Sequence, residues 1–216
     1  MEFDEKHLKF EHPSNILVSG PSGSGKTELV KKFLSQYPKI FYNLYKNKIK
    51  VLWAYGQWTP LLDVEINKKI QLVLLNRIPN DKDLHEISPD ILIIDDLMYE
   101  MSKQKDFEIL FIKKSHHMNI TIFFLVHNPH YYAKMMRTIT FNCHYIIWLK
   151  NPRDIRQINV IDLQSGIKFL PEAFKEATIR PYGYLRLDNT ADTPENLRVT
   201  TNLETNPIIY NELIKD

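Results

Sequence analysis

Cysteine is nearly missing from this chain of 216 residues: Cys143 stands alone. A lone thiol excludes an internal disulfide and any cysteine-built zinc cluster, suits a reducing compartment, and is expected to fill space rather than react. Long hydrophobic runs are missing too, since no apolar stretch approaches the length needed to span a bilayer. The opening residues, Met1-Glu2-Phe3-Asp4-Glu5-Lys6, lack the apolar core of a signal peptide, so the expectation is a soluble, intracellular protein without a membrane partner. Charge of one sign is not in excess: the formal net charge of +2 is far from the basic balance of a protein that coats nucleic acid by bulk charge. Any contact with DNA is therefore local. Lys46-Asn47-Lys48-Ile49-Lys50 and Lys103-Gln104-Lys105 are the candidate stretches, and a solvated loop or helix face is the plain alternative for each. Repeats, low-complexity segments and an evident linker are absent as well. What remains, 44% hydrophobic and 25% charged, has the composition of one large α/β domain with a well-formed core.

Against that background one motif stands out. Gly20-Pro21-Ser22-Gly23-Ser24-Gly25-Lys26-Thr27 spells G-x-x-x-x-G-K-T directly after the apolar run Ile16-Leu17-Val18-Ser19. This is the strand, loop, helix order of a phosphate-binding loop. Three glycines let the backbone curl so that successive N–H groups point at a β-phosphate, and the following helix adds the partial positive charge of its N-terminus. Lys26 is expected to reach the β- and γ-phosphates, and Thr27 to place its hydroxyl on Mg²⁺. The predicted ligand is a nucleoside triphosphate.

The rest of the chain alternates strand and helix. A helix is predicted over about Lys26 to Gln36, with Leu29, Val30, Phe33 and Leu34 as its apolar stripe and Pro38 ending it. Strands follow at Lys50 to Tyr55, turned by Gly56, and at Ile70 to Leu75, with a turn or two of helix at Lys82 to Ile87. The unbroken run Ile91-Leu92-Ile93-Ile94 suits the buried centre of a parallel sheet. Ser102 to His117 reads as an amphipathic helix, Ile120 to Val126 as a strand, Tyr131 to Thr138 as a helix, Tyr145 to Leu149 as a strand, and a further helix follows Asn151-Pro152. Such alternation implies an α/β fold with a mostly parallel central sheet and helices on both faces. Pro181 to Leu187 and Leu197 to Thr200 read instead as a small antiparallel strand pair at the sheet edge.

Hydrolysis of a triphosphate needs a carboxylate to anchor the cation and a group to orient the attacking water. The run Ile91 to Ile94 delivers Asp95-Asp96 to its C-terminal end; Asp95 is the candidate anchor for Mg²⁺, directly or through water, and Asp96 the candidate for polarising the water. A helix-capping pair of aspartates is the structural alternative. The strand ending at Val126 brings His127-Asn128 to the same edge, where Asn128, or alternatively His127, is placed to sense the γ-phosphate. Arg137 and Arg153 each follow a strand and are candidates for the arginine that stabilises developing charge, often from a neighbouring subunit. His116-His117 is rejected as a metal site because adjacent helical residues point about a quarter-turn or more apart.

With these motifs in place, the order of the chain resembles that of the FtsK–HerA superfamily, a RecA-like group of the ASCE P-loop NTPases, and within it the small viral genome-packaging ATPases of the poxvirus and Polinton/adintovirus type. The resemblance rests on Gly20 to Thr27, on Ile91 through Met98, on Lys114 to Ile120 leading into Phe124-Leu125-Val126-His127-Asn128, on Arg137 to Tyr145, on Lys150 to Asp154 and on Pro181-Tyr182-Gly183-Tyr184. It implies one P-loop ATPase domain over residues 1–216, with a core over about 14–165 and a C-terminal extension over about 166–216. It further implies a homo-oligomeric ring, pentameric or hexameric, that hydrolyses ATP with Mg²⁺ and drives double-stranded DNA into a preformed capsid, docking on a capsid or portal-vertex protein. Such a motor would work inside the host cell, in cytoplasm or nucleus, or with the virion. Two positions depart from the pattern: relatives often carry a Gln-Asn pair where His127-Asn128 stands, and many carry Glu where Asp96 stands. The competing readings are a P-loop nucleoside or nucleotide kinase, for which no arginine-rich lid is evident, and a non-catalytic, ATP-gated scaffold for capsid assembly.

Overall fold

A computed structural model describes residues 4–63, 66–103, 117–127, 133–151 and 166–211, without the side chains of Leu61, Asp63, Ala133 and Lys134. The strands are β1 (Phe10–Glu11), β2 (Asn15–Ser19), β3 (Phe41–Tyr42), β4 (Ile49–Tyr55), β5 (Ile70–Leu75), β6 (Ile91–Asp95), β7 (Thr121–Val126), β8 (Tyr145–Leu149), β9 (Tyr184–Asp188), β10 (Val199–Thr201) and β11 (Ile208–Tyr210). The helices are α1 (Lys26–Ser35), α2 (Tyr37–Ile40), α3 (Asp81–Ile87), α4 (Met98–Lys103), α5 (Ala133–Phe141) and α6 (Leu170–Ala177). Nine strands form one sheet in the order β11-β10-β9-β8-β2-β7-β6-β4-β5, and β1 and β3 pair separately. The six strands from β8 to β5 run parallel, and β9, β10 and β11 add antiparallel to the β8 edge.

Side chains alternate across this sheet with the period of the pleat, so the apolar runs feed two cores rather than one. Ile16, Val18, Trp53, Ile93, Phe123 and Leu125 face a core closed by Leu29, Val30, Phe33 and Leu34 of α1 and by Tyr37 and Ile40 of α2. Leu17, Leu52, Leu92, Ile94, Ile122 and Phe124 face the opposite core, closed by Leu84 of α3, by Met135, Met136 and Ile139 of α5, and by Leu170, Ala173 and Phe174 of α6. Helices thus cover both faces, and the loops at the carboxyl ends of β2, β6 and β7 come together where the central strands are fully buried.

The apolar stripe expected of α1 is the buried one. Its predicted terminator is not: the helix closes at Ser35, and Pro38 sits in the first turn of α2, where its missing N–H would have had no intrahelical partner. The predicted edge hairpin is part of a larger antiparallel extension, since β11 adds a third strand. Neither α6 nor the β1–β3 pair was expected. The predicted helix over Ser102 to His117 and the helix after Pro152 lie mostly outside the described residues, although α4 already begins at Met98. Cys143 is buried in the α5 core, where desolvation pushes its thiol up, in keeping with a space-filling role. No helix among the described residues is long and apolar enough to cross a membrane.

Candidate nucleotide site

Residues 20–25 turn from β2 into α1 through two glycines with positive φ, Gly23 at 76° and Gly25 at 96°. The turn is tight: a Cβ on Gly20 would fall 2.6 Å from Ser24 Oγ, and one on Gly25 would fall 2.8 Å from Cδ1 of Tyr182. Gly25 occupies the N-cap of α1 and offers no capping side chain, so the first N–H groups of the helix keep their capacity for an anion. Ser24 Oγ is buried without a hydrogen-bond partner among the described residues. These features shape the turn over Gly20, Pro21, Ser22, Gly23, Ser24 and Gly25, for which the sequence predicts a phosphate cradle.

Lys26 is buried, and its ammonium has three acceptors: the carbonyls of Gly20 at 2.7 Å and Pro21 at 3.1 Å, and Nδ1 of His127 at 3.0 Å. An ammonium has three N–H donors, so its capacity is filled. With Nδ1 accepting, the His127 proton sits on Nε2, which lies 3.3 Å from Oδ1 of Asp96. His127 therefore links the loop lysine to the candidate water-polarising carboxylate. Burial lowers the Lys26 pKa to about 8, against the opposing pull of Asp95 and Asp96.

Asp95 ends β6, and the parallel register places it beside Leu125 of β7 and Tyr55 of β4. Thr27 Oγ1 and the indole Nε1 of Trp53 both donate to Oδ2 of Asp95, each over 3.3 Å. Burial raises the carboxyl pKa, while the Trp53 hydrogen bond, the Lys26 charge and the Thr27 hydroxyl pull it back down. A hydroxyl and a carboxylate this close fit Mg²⁺, a hard cation that takes one or two protein oxygens and completes its shell with water and phosphate. Thr27 and Asp95 would hold it, and it would supply charge neutralisation across the β- and γ-oxygens.

Asp96 adopts a left-handed backbone, with φ at 55°. That turn closes against Gly56, whose N–H donates to Asp95 O over 2.9 Å and whose Cα approaches so closely that a Cβ would sit 2.2 Å from Asp96 O. Gly56 thus does more than turn the chain: it lets the ends of β4 and β6 close on each other. Together Gly25, Lys26, Thr27, Asp95, Asp96 and His127 line an open cavity of about 860 Å³.

The remaining candidates divide differently. Asn128 and Arg153 lie outside the described residues. Arg137 lies on the exposed side of α5 with its guanidinium 5.5 Å from the Phe141 ring, and it does not line the cavity. Among the candidate DNA-contacting lysines, Lys46 is ion-paired with buried Asp90, Lys50 donates to the Ile87 carbonyl, and Lys103 lies 4.0 Å from the centre of the Tyr99 ring. Sequence reasoning missed Trp53, whose signal was an indole on the strand beside the acidic one, and it gave Tyr182 no role.

These strands, loops and layers are those of the P-loop NTPase fold. The fold is similar to that of B204, the DNA-packaging ATPase of Sulfolobus turreted icosahedral virus, with a TM-score of 0.56 and 15% identity over 88% of this chain and 97% of that one. It is also similar to the genome packaging NTPase B204 of Sulfolobus turreted icosahedral virus 2 in complex with ATP-γS, at a TM-score of 0.53 and 14% identity over 88% and 96% of the two chains. The complex of that NTPase with AMP gives 0.51 and 15% over 84% and 95%. At these identities the likeness is one of fold. No protein-family model matches the sequence, and no curated protein matches it either.

Proposed function

We propose that this chain is an ATP-hydrolysing motor of the FtsK–HerA type that moves double-stranded viral DNA into a preformed capsid. The observation that carries the reading is the 3.3 Å contact between Thr27 Oγ1 and Asp95, because it joins the loop to the strand-end acid at the place a magnesium triphosphate requires. The fold likeness to two viral packaging NTPases over most of both chains supports the motor class.

In this reading residues 20–27 cradle the phosphates, Lys26 neutralises the β- and γ-oxygens, and Thr27 and Asp95 hold Mg²⁺. Asp96 orients the attacking water once the γ-phosphate draws Lys26 away from His127. Asn128 senses the γ-phosphate, and Arg137 or Arg153 reaches the site of the next subunit in a homo-oligomeric ring of five or six copies. The single P-loop domain works inside the host cell or with the virion, on DNA and a capsid or portal-vertex protein. Exposed Arg137, standing away from its own cavity, suits delivery in trans.

The test is phosphate release from ATP with and without double-stranded DNA, for the wild type and for Lys26→Ala. Slow release stimulated by DNA and abolished in the variant is expected. Release that persists in Lys26→Ala removes the site assignment. Transfer to a nucleoside selects a kinase instead, and tight binding without turnover in the presence of DNA selects an ATP-gated scaffold.

A further inference from the structure

Tyr182 sits in an uncommon backbone state. Its φ is 62°, a region that side chains other than glycine, asparagine and aspartate rarely adopt. The turn around it is fixed on both sides: Gly183 N–H donates to Arg180 O over 3.2 Å, Gly183 O accepts from Lys150 N–H over 3.2 Å, and a Cβ on Gly183 would fall 2.3 Å from Ala177 O. Burial does not explain the strain, because Tyr182 remains 69% exposed. Hydrogen bonding does not either, since its hydroxyl engages no partner among the described residues. Strain of this kind concentrates where a side chain is held ready for a ligand.

The ring's position says which ligand. Its edge lies against Gly25, at the start of α1, so that a Cβ there would come within 2.8 Å. Tyr45, Trp58, Tyr99 and Phe141 are also well exposed, yet among the described residues Tyr182 is the tyrosine, tryptophan or phenylalanine that lines the cavity. Beyond the loop the cavity is lined by Glu28, Leu29, Lys32, Tyr182 and Glu204, and also by Gln57 and Thr59. Glu204 is already committed: one carboxylate oxygen accepts from Lys32 over 3.0 Å and the other from the Tyr184 hydroxyl over 2.6 Å. Beside Gly25 the wall therefore offers a π-face with its nearby carboxylate already engaged.

We propose that Tyr182 is the nucleobase platform of the triphosphate site, stacking on the base with a preference for the larger purine face and little discrimination between adenine and guanine. This rests on the nucleotide-binding reading above and adds the base subsite to it. Stacking is tolerant of base identity because every base presents a π-face.

Calorimetric binding of ATP, GTP, CTP and inorganic tripolyphosphate, each with Mg²⁺, would be compared for the wild type, Tyr182→Phe, Tyr182→Ala and Tyr182→Asn. The asparagine variant removes the ring while suiting the left-handed backbone, so its fold is not at risk. Both ring-deleted variants are expected to lose about tenfold in affinity for ATP and GTP and to bind tripolyphosphate unchanged, whereas Tyr182→Phe is expected to match the wild type. Equal losses for ATP and tripolyphosphate would overturn the proposal, since the ring would then be shaping the loop. Unchanged ATP binding in both ring-deleted variants would overturn it as well. A wild type that binds neither ATP nor tripolyphosphate would instead remove the underlying nucleotide reading.

Discussion

The ammonium of Lys26 donates to Nδ1 of His127 over 3.0 Å, a contact that ties the loop after β2 to the end of β7. Two of the lysine's acceptors belong to its own loop, so His127 is the partner that a γ-phosphate can displace with least rearrangement. Displacement would leave His127 joined to Asp96 through Nε2, where it positions the carboxylate.

His127→Ala is therefore expected to bind ATP as tightly as the wild type or up to a few-fold more tightly, because a competitor for Lys26 is gone. Turnover should fall by up to about a hundredfold, because Asp96 loses the imidazole that positions its carboxylate. His127→Gln, which keeps one donor and one acceptor, should retain more activity than the alanine variant. Single-turnover and binding measurements on the two variants separate the effects.

The depressed pKa of Lys26 gives binding a pH dependence of fixed sign. Free protein near pH 8 has this lysine about half protonated, whereas a bound triphosphate holds it charged. Binding must then take up close to half a proton at pH 8, and affinity should fall as pH rises, approaching tenfold per pH unit above that value. Calorimetry in buffers of different ionisation enthalpy reads the uptake directly. Lys26→Arg, whose charge does not titrate in this range, should flatten the profile.

How far the sequence carried the reading depended on whether each signal was local. Gly20 to Thr27 and the run into Asp95 were legible because the loop needs glycines at fixed offsets and a buried parallel strand needs an unbroken apolar run. Short or exposed elements were not: β1 and β3 are two residues each, and Ile208 of β11 is 46% exposed, so neither shows a period. Helix α6 carried a usable signal in Leu170, Ala173, Phe174 and Ala177, which went unread beside Pro171; that proline sits in the first turn, where it is tolerated. Arg186 and Asp188 alternate with Leu185 and Leu187 as though they faced water. They are fully buried because the segment leading into β1 covers them, with the His7 and Lys9 carbonyls accepting from Arg186. The contacts of His127 and Trp53 join residues far apart in sequence and could not be read from spacing.

That buried pair makes a stability prediction. Arg186 Nη2 donates to Asp188 Oδ2 over 2.8 Å, and both Asp188 oxygens take further bonds from Thr190 and Thr193. Asp188→Ala would strand a guanidinium between the Phe10 and Tyr145 rings, at a cost of about 3–5 kcal/mol. Urea unfolding should register that loss. Replacing Arg186 and Asp188 together by apolar residues should cost less than the single change.

Trp53 should act through Asp95. Phenylalanine at this position preserves most of the buried volume but removes a donor from Oδ2, at roughly 1–2 kcal/mol of stability. Since that hydrogen bond holds the Asp95 pKa down against burial, its loss should move the acidic limb of the pH–rate profile upward and raise the Mg²⁺ concentration needed for half-maximal rate. ATP affinity without Mg²⁺ should not change. A merely structural role would lower stability while leaving the acidic limb and the Mg²⁺ requirement in place.

Gly56 supplies the sharpest steric test of the acidic turn. Alanine there would put a methyl group 2.2 Å from the Asp96 carbonyl oxygen, a backbone atom that can move only if the left-handed turn moves with it. Overpacking of this kind costs about 1–3 kcal/mol, so the protein should remain folded with a lowered melting temperature. Hydrolysis should suffer far more than stability, because displacing the carboxylate proposed to orient the water by about an ångström can cost on the order of a hundredfold. Equilibrium ATP binding should stay within a few-fold of the wild type, since the phosphate cradle lies on β2 and α1. A Gly56→Ala protein with a normal rate would mean that Asp96 does not need its observed backbone to function, and the water-orienting role would pass to another residue.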